Sequence, residues 1–139
     1  MSYAASAALQ AAIYGRLTSD AAIGALVGDA IYDALPAGPL PDTYVALGPE
    51  DVRDRSDASG GGAWHRFIIS VVTEEAGFHA AKTLAAAIGD ALVDASLVLD
   101  RGRLVGLHFH RARAKRESGG QTRRIDLTFR ARVDDMDIV

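Results

Sequence analysis

Apolar and polar residues alternate along three stretches of this chain and recur at three-and-four spacing along two others. From Ala63 to Glu74, Phe67, Ile69 and Val71 fall on one face, and Arg66, Ile68, Ser70 and Val72 on the other. The second face is only partly polar, which predicts a strand interior to its sheet. From Gly77 to Ala95, the residues Ala81, Leu84, Ala85, Ile88, Leu92 and Ala95 form an apolar stripe. His79, Lys82, Ala86 and Asp90 lie opposite, which predicts a helix. A strand feeding a helix that lies back on it is the minimum core of a two-layer α+β domain.

The rest of the chain adds elements around this pair. Ser2 to Leu17 is a predicted helix with a narrow stripe of Ala5, Leu9, Ala12, Ile13 and Leu17. Thr18-Ser19-Asp20 supplies N-cap candidates for a short helix from Ala21 to Val27, which Gly28 ends. Ala30 to Asp33 reads as a short strand. Pro36, Gly38, Pro39 and Pro41 then exclude helix or central strand. Tyr44 to Leu47 is the next predicted strand, stopped by Gly48-Pro49. The charged stretch from Glu50 to Asp57 and the glycines 60–62 read as one mobile loop between two paired strands. A strand, not a helix, follows those glycines, so they are not a phosphate cradle.

Beyond the long helix, Ser96 to Leu99 is a short strand or an extended exit, and Asp100-Arg101-Gly102 is a turn. Leu104 to Arg113 alternates with Val105, Leu107 and Phe109 inward and His108 and His110 outward. After a turn at 117–120, Arg123 to Val133 gives the cleanest alternation. Ile125, Leu127, Phe129, Ala131 and Val133 face in; Arg124, Asp126, Thr128, Arg130 and Arg132 face out. The acidic tail from 134 to 139 is expected to be loosely held. The sum is a single domain with a mixed, mainly antiparallel sheet of four to five strands and helices on one side.

Composition narrows the chemistry. The 139 residues suffice for a core without staples, and the absence of cysteine excludes disulfides, thiolate catalysis and cysteine-based zinc sites. The alanine-rich opening has no basic n-region and is interrupted by Ser6, Gln10 and Arg16, so it reads as neither signal peptide nor membrane span. Net charge is −3, but residues 101–132 carry about +8 and the remainder about −11. Arg111, Arg113, Lys115, Arg116, Arg123 and Arg124 cluster around one turn, with Arg130 and Arg132 further along the same strand. Such segregation suits contact with nucleic acid or with the acidic face of a neighbouring copy; a solvated hairpin is the bland alternative. Outward stacking aromatics are absent from it, which argues against base recognition.

Catalytic motifs are missing. No nucleophile elbow, phosphate loop, H-E-x-x-H or dinucleotide fingerprint occurs. His108 and His110 have a spacing that zinc ligands use, but no third ligand is near and Arg111 and Arg113 add repelling charge. Glu74-Glu75 precede a helix, where negative charge suits the macrodipole. The reading is a non-enzyme with no metal or cofactor.

Several segments together resemble the phage tail-completion family that includes tail terminators. They are Ala25-Leu26-Val27-Gly28, the run Ile31 to Pro36, the run Tyr44 to Gly48, Phe67-Ile68-Ile69-Ser70-Val71, the alanine-rich helix, Gly102-Arg103-Leu104-Val105 and the run Thr128 to Val133. Their order and spacing carry the resemblance, which spans nearly the whole chain. It implies a structural subunit of a homo-hexameric ring on the last ring of the tail tube. That ring would stop tube polymerisation, receive the head-completion or stopper protein and let DNA through its centre. It implies a place at the head–tail junction of a phage, prophage or gene transfer agent particle, with assembly in the bacterial cytoplasm. It carries over no catalytic residues and no membrane contact. In that setting the basic residues above are candidates for a subunit, partner or DNA-channel surface. Glu50, Asp51, Arg53, Asp54, Arg55 and Asp57 are candidates for an interface loop.

Overall fold

The structure is a computed structural model that describes residues 3–55 and 61–135. Helices α1 (Ser6–Ser19) and α2 (Ala21–Val27) open the chain, followed by strands β1 (Ile31–Tyr32), β2 (Thr43–Asp54) and β3 (Gly62–Thr73). Helix α3 (His79–Leu92) then leads to the long hairpin of β4 (Arg103–Glu117) and β5 (Thr122–Asp134). The five strands form one sheet in the order β1-β2-β3-β5-β4. Among the described residues, only the β1–β2 pair is parallel. The fold is α+β, with β3 at the centre as its two-sided pattern predicts.

All three helices pack on the face that carries Phe67, Ile69 and Val71 of β3 and Ile125, Leu127, Phe129, Ala131 and Val133 of β5. Leu9, Ile13 and Leu17 of α1 and Ala81, Leu84, Ile88 and Leu92 of α3 close the core from above. Burying each large side chain contributes on the order of 1.5–3 kcal/mol, an upper bound. Asp20 caps α2 by accepting a hydrogen bond from the Ile23 N–H. Arg16 Nε donates to the Ala91 carbonyl at 2.9 Å and ties α1 to α3.

The structure departs from the sequence reading in several places. Helix α3 is shorter than 77–95. Gly77 has φ +77°, Val93 turns extended, and the Asp94 N–H donates to the Leu107 carbonyl at 3.0 Å, which steers the chain to the next strand. Residues Ser96 to Leu99 take the second of the two readings, an extended exit.

Strand β2 does not stop at Gly48-Pro49. It continues to Asp54, so Glu50, Asp51, Arg53 and Asp54 are strand residues rather than a mobile loop. The register shifts between Leu47 and Glu50, leaving Gly48 and Pro49 in a bulge. A proline lacks the N–H a ladder needs and is tolerated there. A β-carbon on Gly48 would sit 3.1 Å from the Ile68 carbonyl, a tight contact that glycine avoids. Arg55 follows the strand, Gly62 begins β3, and Asp57 lies outside the described residues.

In β4, Leu107 is buried, but Val105 and Phe109 are each 51% exposed. Val105 falls at one register shift and His110 at another. Phe109 does point toward the helix side, beside Phe129 at 6.0 Å, but α3 does not reach far enough to cover it. Asp134, expected in the loose tail, is the last residue of β5. Residues 136–139 of that tail lie outside the described residues.

Candidate assembly surfaces

With the helices on one side, the other face of the sheet is left bare, and register decides what it displays. Successive rungs place Arg66 of β3 against Arg130, and Arg130 against His108 of β4. Further along lie Thr128 against Arg111, Asp126 against Arg113, and Arg124 against Lys115. The structure thus gathers Arg111, Arg113, Lys115, Arg124, Arg130 and Arg132 on one open face. It sends Arg116 and Arg123, a rung of their own, to the helix side. There the Arg123 guanidinium lies 5.7 Å from the centre of the Phe78 ring and donates to the Glu75 carbonyl at 3.1 Å.

The arginines of the open face are held by neighbours. Arg130 lies 4.4 Å over the Trp64 ring, close enough for a cation–π contact. Arg124 donates to Asp126 at 2.9 Å and to Ser70 at 3.0 Å, and Ser70 donates to Asp126 at 2.6 Å. Burial alone would raise the Asp126 pKa. The hydrogen bonds from Ser70 and Arg124, with the charges of Arg124 and Lys115, outweigh it and hold the carboxyl below its ordinary value. Arg132 donates to Asp134 at 3.1 Å and to the Arg55 carbonyl at 3.1 Å.

Positive charge is nevertheless in excess. Among the described residues, Arg66, Arg111, Arg113 and Arg130 form no ion pair with a carboxylate. Desolvation and then the charges of Arg66, Arg130 and Arg111 lower the pKa of His110. Like charges directly opposed across a ladder destabilise it, yet Arg66–Arg130, Arg124–Lys115 and Arg123–Arg116 are such rungs. Arg66 was absent from the basic set read along the chain. Its place on the polar side of the β3 alternation was the available signal.

Acidic residues mix with Arg53 and Arg55 at the other margin. Beyond Ala46, β2 has no described neighbour on its outer side, because β1 pairs only with Val45 and Ala46. Asp51 and Asp54 are exposed along this margin, with Asp33 exposed just after β1. Arg53 pairs with Asp51 at 3.4 Å. Glu50 turns toward α1, where it accepts hydrogen bonds from the Tyr3 and Ser6 hydroxyls. His65, almost fully buried, points Nδ1 at Glu50 from 3.7 Å, beyond hydrogen-bond reach. Desolvation lowers the His65 pKa against the opposing pull of Glu50, so the imidazole is neutral near pH 7. Among the described residues no group of three or more His, Asp or Glu is arranged to hold a metal ion, and no helix is long and apolar enough to cross a membrane.

The described residues thus form a one-sided α+β sheet with charged margins. The chain belongs to the tail completion protein gp17 family, whose model matches residues 11–134. Among solved structures, it is similar to a chain from the virion of a native gene transfer agent particle. The two share 62% identity, with a TM-score of 0.92, over 96% of this chain and 99% of that one. No curated protein sequence matches.

Proposed function

We propose that this protein is a tail terminator of a phage-like particle. As a tail-completion protein it has a structural role in the tail. In the finer reading, six copies form a ring on the last ring of the tail tube and stop its polymerisation. The ring then receives the head-completion protein and lets DNA pass at the head–tail junction. The observation that carries this reading is the match to a gene transfer agent virion chain at 62% identity over nearly the full length. The open margins and unneutralised arginines support it, since a subunit that works by assembly needs surfaces its own fold leaves unsatisfied.

The test is removal of the gene from particle-producing cells, with electron microscopy of the lysate. Tails of uncontrolled length and unjoined heads are expected, both restored by the gene in trans. Normal particles without the chain would refute the reading. A second reading, a monomeric nucleic-acid-binding module, draws on the basic open face. It requires a monomer in light scattering, with DNA affinity that falls steeply with salt and no association with tail tubes.

A further inference from the structure

We infer that the slot between α1 and the margin of β2 binds a small organic cation, an ammonium or guanidinium head on an apolar stem. The inference is independent of the tail-terminator reading. The slot follows from the fold. β1 pairs only with Val45 and Ala46, so among the described residues nothing flanks β2 beyond that point. The bulge at Gly48 and Pro49 interrupts the ladder there, and Gly48 brings no side chain into the space. Leu9 and Ile13 of α1, Leu47 of β2 and Phe67 of β3 line the apolar end of a cavity of about 390 Å³. That volume is ordinary for a small-ligand pocket. Tyr3, Gln10 and Glu50 form its polar end and continue into an adjoining groove of about 560 Å³, which Tyr14 and Asp33 also line.

The polar end is negative, and the fold supplies no charge to match it. Glu50 and Asp33 line these two spaces, and no Lys or Arg does. Among the described residues, neither carboxylate forms an ion pair with a Lys or Arg. Arg16, the cation of α1, turns away to the Ala91 carbonyl. Arg53 shares the rung of Trp64 on the other face of the sheet and pairs there with Asp51. His65 does not substitute. It is almost fully buried and neutral near pH 7, and its Nδ1 stands 3.7 Å from Glu50 with no hydrogen-bond partner. The Glu50 side chain is only 22% exposed, so its carboxylate is largely withdrawn from water. The Tyr3 and Ser6 hydroxyls fix it in place without neutralising it.

This arrangement selects the class of ligand. A cationic head gives Glu50 the partner that the fold withholds, and a carboxylate already held in position loses little freedom on binding. The exposed Tyr3 ring adds a face for the same charge. The stem occupies the end lined by Leu9, Ile13, Leu47 and Phe67. An anion meets two carboxylates, and a purely apolar molecule would bury Glu50 further without a partner.

Titration of the purified full chain with benzylamine, followed by calorimetry and amide NMR shifts, tests this. Benzylamine is expected to bind saturably and to move the resonances of Leu9, Ile13, Leu47 and Glu50. Benzyl alcohol and phenylacetate, matched neutral and anionic probes, should bind at least about tenfold more weakly. Glu50→Gln is expected to lower benzylamine affinity by about the same factor and to leave benzyl alcohol unchanged. Gln10→Trp, at an exposed helix position, plugs the slot and abolishes binding of every probe while circular dichroism stays that of wild type. If Glu50→Gln fails to fold, Asp33→Asn on the exposed rim replaces it and shows a smaller loss. A capped tripeptide with a central lysine separates two sources of the head group. Binding like that of benzylamine assigns the site to a side chain of another protein; benzylamine binding without tripeptide binding assigns it to a free small molecule.

No saturable benzylamine binding overturns the inference. So does equal affinity for benzylamine and benzyl alcohol, or benzylamine binding that survives both Glu50→Gln and Gln10→Trp.

Discussion

Gly102 turns the chain into β4 with φ +82°, and a β-carbon there would lie 3.1 Å from Ala5 Cβ, Val133 Cγ1 and the Asp134 carbonyl. Conformation and space both require glycine at this position. Gly102→Ala is expected to lower stability by about 1–3 kcal/mol. A urea titration reads this as a lower midpoint at unchanged slope; a midpoint equal to wild type would show that the turn relaxes freely. The sequence marked this glycine as a turn, because Asp-Arg-Gly between two patterned stretches is turn chemistry. Glu50 was less legible. The sequence places it in a mobile loop, and it instead accepts hydrogen bonds from Tyr3 and Ser6 beside buried His65. Its orientation follows from the one extra residue at Gly48-Pro49, which returns it to the helix side of the sheet. Alternation read along one strand cannot count a residue that only the partner strand reveals as extra.

At the scale of elements, the same bulge separates a loop from a strand. Glu50 to Asp54 pair with Phe67 to Ala63 in the single chain, before any assembly. Hydrogen exchange on isolated protomers is therefore expected to show slow amides at alternating positions from 50 to 54, those whose N–H groups point toward β3. Uniformly fast exchange across these five residues would return the stretch to a loop. The helices and central strand were legible because a full stripe or a long alternation averages over local exceptions. Helix α2 appeared with its predicted bounds, Asp20 and Gly28 marking its two ends. β4 was legible in type but not in burial. Phe109 faces inward as alternation requires, yet burial needs a covering layer, and α3 ends its coverage short of the sheet margin.

For the whole molecule, acid should act through two groups on opposite faces of the sheet. Burial holds His65 neutral with a lowered pKa, whereas the unfolded chain takes up the proton below about pH 6.5. Its contribution is thus complete above that pH and is lost as pH falls toward the folded value. Burial would raise the Asp126 pKa, but Ser70 and Arg124 lower it. Its contribution is present above about pH 4 and disappears as pH falls through the folded value. Unfolding free energies measured between pH 8 and 3 are expected to decline in these two windows. His65→Gln should flatten the first and leave the second; a first decline that persists in this variant would assign it to another group.

The charge division of the molecule was countable from the sequence, but its geometry was not. Which arginines share a face depends on register across β3, β5 and β4, and that register split Arg123 and Arg116 from their sequence neighbours. It also fixed how the remaining cations are carried. Arg130 rests on Trp64, Arg124 is held by Asp126 and Ser70, and Arg132 by Asp134 and the Arg55 carbonyl. Immobilising a long free side chain at an interface typically costs about 0.5–1.5 kcal/mol. Here three guanidinium groups have already lost that freedom within the fold, so a docking partner meets cations that are aimed in advance.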